Sequence, residues 1–229
     1  MVYVKHLWLQ NFRNYEDANI SFSTGKIVLF GDNGQGKSNL LEAIGYLGTA
    51  KSFRGVPSEA LIKKDCEGSV IRAELQHLDR ELLVEAEISK VRQNKIHVNK
   101  QKISPVRNLI GLIPITIFGP DDLNLVKAGP SIRRNYIDDL LEQKKHKNIQ
   151  IRADLEKVLK QRNALLKQAR GRLNDEIKST LQVWDEKFHA LGHQWGEERK
   201  KTIEEINNFA EASYVDLAGG LTDLELSYE

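Results

Sequence analysis

Two textures of apolar and polar positions succeed each other along the chain. Up to about residue 130, short apolar runs are broken by Gly, Pro, Asn and Asp. Val2 to Phe12 alternates loosely, while Ile20 to Phe22 and Lys26 to Phe30 flank the turn-prone Ser23-Thr24-Gly25. Strands are predicted there and over Ser69 to Leu75, Leu82 to Ile88 and Lys95 to Val98, the last before the turn signal Asn99-Lys100. Ile113 to Phe118, a β-branched run between Gly111 and Gly119-Pro120, predicts a buried strand. Helical spacing is clear from Ser38 to about Leu47, with a weaker trace over Ser104 to Leu109. This half reads as α/β.

From Ser131 onward the pattern is almost wholly helical. Ile132, Tyr136, Ile137, Leu140 and Leu141 share one face, with Ser131 a cap after Pro130. After the polar stretch 144–148, Ile151, Leu155, Val158, Leu159, Leu165, Leu166 and Ala169 continue at helical spacing. A break at 171–175 precedes Ile177, Leu181, Trp184, Phe188, Leu191 and Trp195, spaced as a heptad seam that Ile206 and Phe209 prolong. Two long helices joined by a short polar turn predict an antiparallel hairpin. Beyond Ala218-Gly219-Gly220, Leu224 to Tyr228 alternates like a strand that rejoins the first half's sheet, which makes the helical segment an insertion. The expected division is 1–130, a head lobe; 131–215, an inserted arm; and 216–229, a return strand.

Composition narrows the function classes. No apolar stretch approaches the roughly 20 residues needed to cross a bilayer, and the first residues lack a secretory pattern. Cys66 is the only cysteine, which excludes an internal disulfide and cysteine-rich zinc sites and suits the cytoplasm.

The chemistry is concentrated at Gly31-Asp32-Asn33-Gly34-Gln35-Gly36-Lys37-Ser38, a complete G-x-x-x-x-G-K-S/T phosphate loop. A random chain of this length would match it about 1% of the time. Glycines let successive backbone N–H groups turn inward around phosphates, and the following helix adds unpaired donors and the positive end of its dipole. Lys37 would reach the β- and γ-phosphates of ATP, and Ser38 would hold Mg²⁺. A second motif for hydrolysis, an apolar strand ending in Asp or Asp-Glu, is missing: Gly119-Pro120 separates the 113–118 run from Asp121 and Asp122. No catalytic residue is nominated. Two other readings stay open, a coiled-coil scaffold with a non-switching phosphate loop and a small-molecule P-loop kinase.

The opening Leu9-Gln10-Asn11-Phe12-Arg13-Asn14-Tyr15, followed by the phosphate loop and Asn39-Leu40-Leu41-Glu42-Ala43-Ile44, resembles the start of the RecF family of bacterial recombination mediators. Lys51-Ser52-Phe53-Arg54, the stretches 118–126, 129–138 and 161–166, and Leu226-Ser227-Tyr228 extend the resemblance along the whole chain. It implies a P-loop NTPase head of the ABC and SMC type, lobe I, with a helical arm inserted between two lobes. It further implies ATP-dependent homodimerisation on double-stranded DNA and at double-strand/single-strand junctions. Slow hydrolysis and work with RecO and RecR to load RecA at single-strand gaps, in DNA replication, repair, recombination and the SOS response, follow from the same resemblance. Arg13 and Asn14 would lie near the nucleotide base and ribose, alongside the loop residues 31–38 and Asn39. Members are longer, so the chain is expected to hold lobe I, the arm and only the first strand of lobe II, to lack the signature motif and Walker B, and to hydrolyse almost nothing.

The nearly neutral total charge hides a segregation. Residues 143–173 carry ten Lys or Arg against Asp154 and Glu156, whereas 174–212 carry five basic and nine acidic residues. Opposite charges across the hairpin either fix its register or leave a basic side free for DNA phosphates. The candidates for phosphate contact are Lys144, Lys145, Lys147, Arg152, Lys157, Lys160 and Arg162.

Overall fold

The computed structural model describes residues 2–77, 79–172, 174–219 and 224–228. The chain separates into two compact units, 1–119 and 120–229.

The first unit is a six-stranded antiparallel sheet with a helix on one face. Its strands are β1 (Val2–Phe12), β2 (Tyr15–Ser21), β3 (Gly68–His77), β4 (Arg80–Ser89), β5 (Lys95–Val98) and β6 (Gln101–Lys102), in spatial order β2-β1-β3-β4-β5-β6. Leu7 and Leu9 on β1, Ile71, Ala73 and Leu75 on β3, and Val84, Ala86 and Ile88 on β4 point to one side and are buried. Helix α1 (Lys37–Thr49) covers that side with Leu40, Ala43, Tyr46 and Leu47. On the opposite face the residues between them form their own row. Trp8 pairs with Arg72 across β1 and β3, and the Arg72 guanidinium stacks over its ring at 5.3 Å. The period of two in the sequence thus becomes two chemically different faces.

Two predicted strands of this unit form no ladder. Residues 26–30 and 113–118 carry no strand pairing, and Val28, Phe30 and Phe118 are 78%, 91% and 85% exposed. A strand is stable only beside another, and among the described residues neither stretch is paired with a neighbouring strand. The 113–117 stretch still packs on α1: a Cβ at Gly48 would come within 2.6 Å of Ile115 Cδ1, and one at Gly45 within 2.7 Å of Ile117 Cδ1. The helical trace over 104–109 shortens to a 3-10 turn, Val106–Leu109.

The second unit is helical: α2 (Asn124–Lys127), α3 (Pro130–Lys144), α4 (His146–Ala169) and α5 (Asp175–Ala218). Pro130 opens α3 at its first turn, where its missing N–H costs nothing. Helix α5 begins with Asn174, whose Oδ1 accepts from the Ile177 N–H at 2.8 Å, and its 44 residues span about 66 Å. Pairing runs antiparallel, with Lys144 to Glu205, Lys145 to Glu198 at 3.1 Å and Arg162 to Asp185 at 2.5 Å. The base of the hairpin is closed by a buried polar knot. Asp138 of α3 accepts from Trp195 Nε1 at 3.0 Å and from Arg199 Nε and Nη2 at 2.7 and 2.8 Å. Of the aromatics assigned to the heptad seam, Trp195 is buried and Trp184 half-buried, whereas Phe188 is 36% exposed and Phe209, predicted to prolong the seam, is 76% exposed. Leu224 to Tyr228, predicted as a strand, has no regular secondary structure. Its Leu226 N–H donates at 2.7 Å to Asn207 Oδ1, a side chain in place of a ladder partner. No described helix is long and apolar enough to cross a membrane.

Candidate functional site

The phosphate loop leads directly into α1. Gly31, Gly34 and Gly36 have φ of 137°, 84° and 105°, the positive range that glycine alone adopts without strain. Lys37 opens the helix and folds back, its Nζ donating to the carbonyls of Gly31 and Asp32 at 2.8 Å each. These bonds hold the ammonium over the mouth of the loop. The first α1 amide with a described backbone partner is that of Leu40, which donates to Gly36 O at 2.9 Å. No carboxylate stands in the helix's first turn. The N–H groups of Lys37, Ser38 and Asn39, the helix dipole and one ammonium therefore converge on one place, and Asp32, Asn33, Gln35 and Ser38 line it exposed. That donor set suits a polyphosphate. The Ser38 hydroxyl suits a divalent cation carried by such a phosphate, and among the described residues no separate metal cluster exists.

The β1–β2 turn braces the loop from one side. A Cβ at Gly36 would lie 2.7 Å from Asn14 Nδ2 and 3.0 Å from the Tyr15 hydroxyl, so only glycine lets the turn approach so closely. Asn14 Nδ2 donates to Gln35 O at 3.2 Å, Tyr15 Oη to Gly36 O at 3.2 Å, and Asn39 Nδ2 to Asn14 Oδ1 at 2.8 Å. Asn14, Asn39 and the loop residues 31–38 are thus brought together. Arg13 points elsewhere. Its guanidinium grips the Glu42 carboxylate at 2.9 and 3.0 Å and the Ala60 carbonyl at 3.1 Å.

Glu42 is the residue that sequence reasoning missed. It is fully buried and also accepts from Ser52 Oγ at 2.5 Å, with Arg54 Nη1 at 3.7 Å. Arg54 in turn donates to Asn39 Oδ1 at 3.1 Å. A closed polar circuit results: Arg13, Glu42, Arg54, Asn39, Asn14 and back through the chain to Arg13. It ties the β1–β2 turn, the first two turns of α1 and the 52–54 turn to one another. Burial pushes the Glu42 carboxyl up, but hydrogen bonds from Arg13 and Ser52, with the charges of Arg13 and Arg54, outweigh it and hold it below the ordinary range. The available signal was position: Glu42 stands one turn before Tyr46, on the flank of the apolar face.

Of the seven cations nominated for phosphate contact, five are engaged within the hairpin. Lys144 pairs with Glu205, Lys145 and Lys147 with Glu198, Arg162 with Asp185, and Arg152 with Asp139, Glu142 and Glu156. A hydrogen bond from Lys145 first, and a second from Lys147 against the opposing effect of burial, depress the Glu198 carboxyl. Lys157 and Lys160 are exposed and form no ion pair with a described residue.

Residues 3–115 match the RecF/RecN/SMC N terminal domain family. The DNA replication and repair protein RecF of Leifsonia xyli is 39% identical over 217 residues, covering 94% of this chain and 56% of that protein. The protein of the same description from Streptomyces avermitilis is 35% identical over 234 residues and is covered to 62%. Among solved structures, the recombination mediator protein RecF of the RecFOR pathway, in its RecF-ATP form, superposes with a TM-score of 0.88 at 30% identity, over 95% of this chain and 58% of that one. The Smc head domain of Pyrococcus furiosus, with an extended coiled coil, shares the fold at 21% identity and a TM-score of 0.54, over 96% of this chain and 66% of that one. The chain spans little more than half the length of these RecF proteins.

Proposed function

We propose that the chain, similar along its length to the N-terminal part of the RecF proteins, captures ATP with Mg²⁺ for a recombination mediator of gap repair. The observation that carries this reading is the Lys37 ammonium, held over a glycine loop at the positive end of α1. In it, the backbone amides of residues 31–38 and Asn39 surround the phosphates, Lys37 exchanges its two carbonyl partners for phosphate oxygens, and Ser38 holds the cation. Bound Mg²⁺ would supply positive charge to the phosphate oxygens. Asn14 lies close enough to the loop to face the nucleoside side. Arg13 enters through Glu42, as a residue that positions Asn14.

The rest of the reading rests on the resemblance and on the relatives' descriptions. ATP drives dimerisation of the longer protein on double-stranded DNA, in a cytoplasmic pathway with RecO and RecR that loads RecA at gaps. The head lobe (1–130), the arm (131–215) and the returning segment (216–229) are its parts here. A γ-phosphate that makes contacts only in the closed dimer would make nucleotide the switch.

Calorimetric titration with ATP and Mg²⁺ tests the site. Wild-type chain is expected to bind. Lys37→Ala is expected to lose about 10- to 100-fold in affinity, the worth of one charge-assisted contact, with unchanged far-UV circular dichroism. No binding by the wild type, or equal binding by the variant, would overturn the reading. Turnover by this chain alone is expected at background.

A further inference from the structure

The ion pairs of the hairpin are distributed unevenly, and that distribution identifies a surface. Between residues 157 and 172 there are six basic residues and no acidic one. Arg162 is spent on Asp185. Lys157, Lys160, Lys167, Arg170 and Arg172 are exposed and make no ion pair with a described residue, in contrast to Lys144, Lys145, Lys147 and Arg152 at the base. The three lysines fall on one sector of α4 at spacings of three and seven residues, over about 15 Å. Arg170, left-handed at φ 48°, and Arg172 continue the row around the turn, where they line a shallow concavity with Lys167 and Gln168.

We propose that this distal part of the arm docks the phosphodiester backbone of nucleic acid, and that the cations at the base do not. The proposal is independent of the nucleotide site. Two observations choose the partner. The surface offers charge and amide donors spaced along a rod, which suits a regular polyanion read without sequence preference. Its apolar side chains are few: among the described residues from 160 to 178 no large hydrophobic is exposed, and beside that stretch only Leu159, Val183 and Phe188 are, at 39%, 50% and 36%, so it lacks a dense cluster of apolar anchors. A protein interface is organised around such anchors, and a membrane-surface helix needs an apolar face. The acidic side chains at this end are Asp175, paired with Lys178 at 3.3 Å, the exposed Glu176, Asp185, taken up by Arg162, and the exposed Glu186, which accepts from Gln182 at 3.2 Å.

Fluorescence anisotropy of the whole chain with a labelled duplex of mixed sequence, without ATP and over a range of salt, tests this. Five phosphate contacts give a slope of about −4.5 in log affinity against log salt, or about a 500-fold loss between about 50 and 200 mM. The triple variant Lys167→Gln, Arg170→Gln and Arg172→Gln is expected to retain a slope of about −1.8, or about a 12-fold loss over that range. Lys157→Gln with Lys160→Gln should flatten the slope by a smaller step, and Lys144→Gln with Lys147→Gln should leave it unchanged. Circular dichroism checks that each variant keeps its helices. The proposal is overturned if wild-type chain does not bind the duplex, or if the base variant loses more than the tip variant. It is equally overturned if polyglutamate or anionic vesicles displace the duplex at equal charge concentration. Because ATP is absent, a failure here leaves the calorimetric test untouched.

Discussion

A carboxylate with no solvent exposure, such as Glu42, persists in a core only when its lost hydration is replaced by charged and hydrogen-bonding partners. Arg13, Ser52 and Arg54 are those partners, so removing the charge strands two guanidinium groups. Glu42→Gln is expected to cost about 3 kcal/mol at neutral pH, measured by urea unfolding. The folded carboxyl titrates below its ordinary value of 4.5, so the stabilisation is complete above that value and fades as pH falls through the lower, folded one. The gap between wild type and variant should therefore close below about pH 4.5; a gap that stays constant to strong acid would contradict the circuit. At this scale the phosphate loop was fully legible, because each of its residues answers a local backbone demand. Glu42 was not, since its partners lie 29 and 10 residues away in sequence, and no periodicity records such a meeting.

Elements were legible where they complete themselves. β1, β3, β4 and β5 alternate and find each other through antiparallel neighbours, and α1, α3, α4 and α5 satisfy their backbones internally. The stretches 26–30 and 113–118 have strand composition and no ladder, because composition specifies a face and not a neighbour. Leu224 to Tyr228 fails for the same reason. On α3 the pattern marked Ile137 and Leu141 but said nothing of Asp138 between them. This carboxylate joins α3 to Trp195 and Arg199 of α5, and its hydrogen bond first, with a contact to Tyr228, raises the Arg199 guanidinium further against the opposing effect of burial. Asp138→Asn is expected to destabilise the helical unit by about 3 kcal/mol, since it leaves a part-buried guanidinium without its counter-charge. Asp138→Leu combined with Arg199→Met removes both charges but leaves the buried Trp195 indole N–H without its acceptor, so it should recover part of that loss, read as the midpoint of thermal unfolding. A double variant no better than the single one would show that the pair does more than neutralise itself.

At the scale of the molecule, each compact unit has its own chemistry: residues 1–119 hold the phosphate loop, and 120–229 hold the charged hairpin. The formal net charge of +2 hides a hairpin whose basal cations are paired and whose distal cations stand clear of the acidic residues further along α5. A change of salt should therefore act on the hairpin's far end and hardly on the fold. The exposed Val28, Phe30 and Phe118 have a different consequence, for handling in the cell. Strand-prone apolar segments open to water are templates for intermolecular pairing. The chain expressed by itself should be slow to leave chaperones and prone to cluster at high concentration. Phe30→Ser is expected to lower light scattering at a given concentration without altering the helical signal, and unchanged scattering would place the sticky surface elsewhere. The segment that carries the chain into its phosphate loop would then also set how long the protein stays in solution.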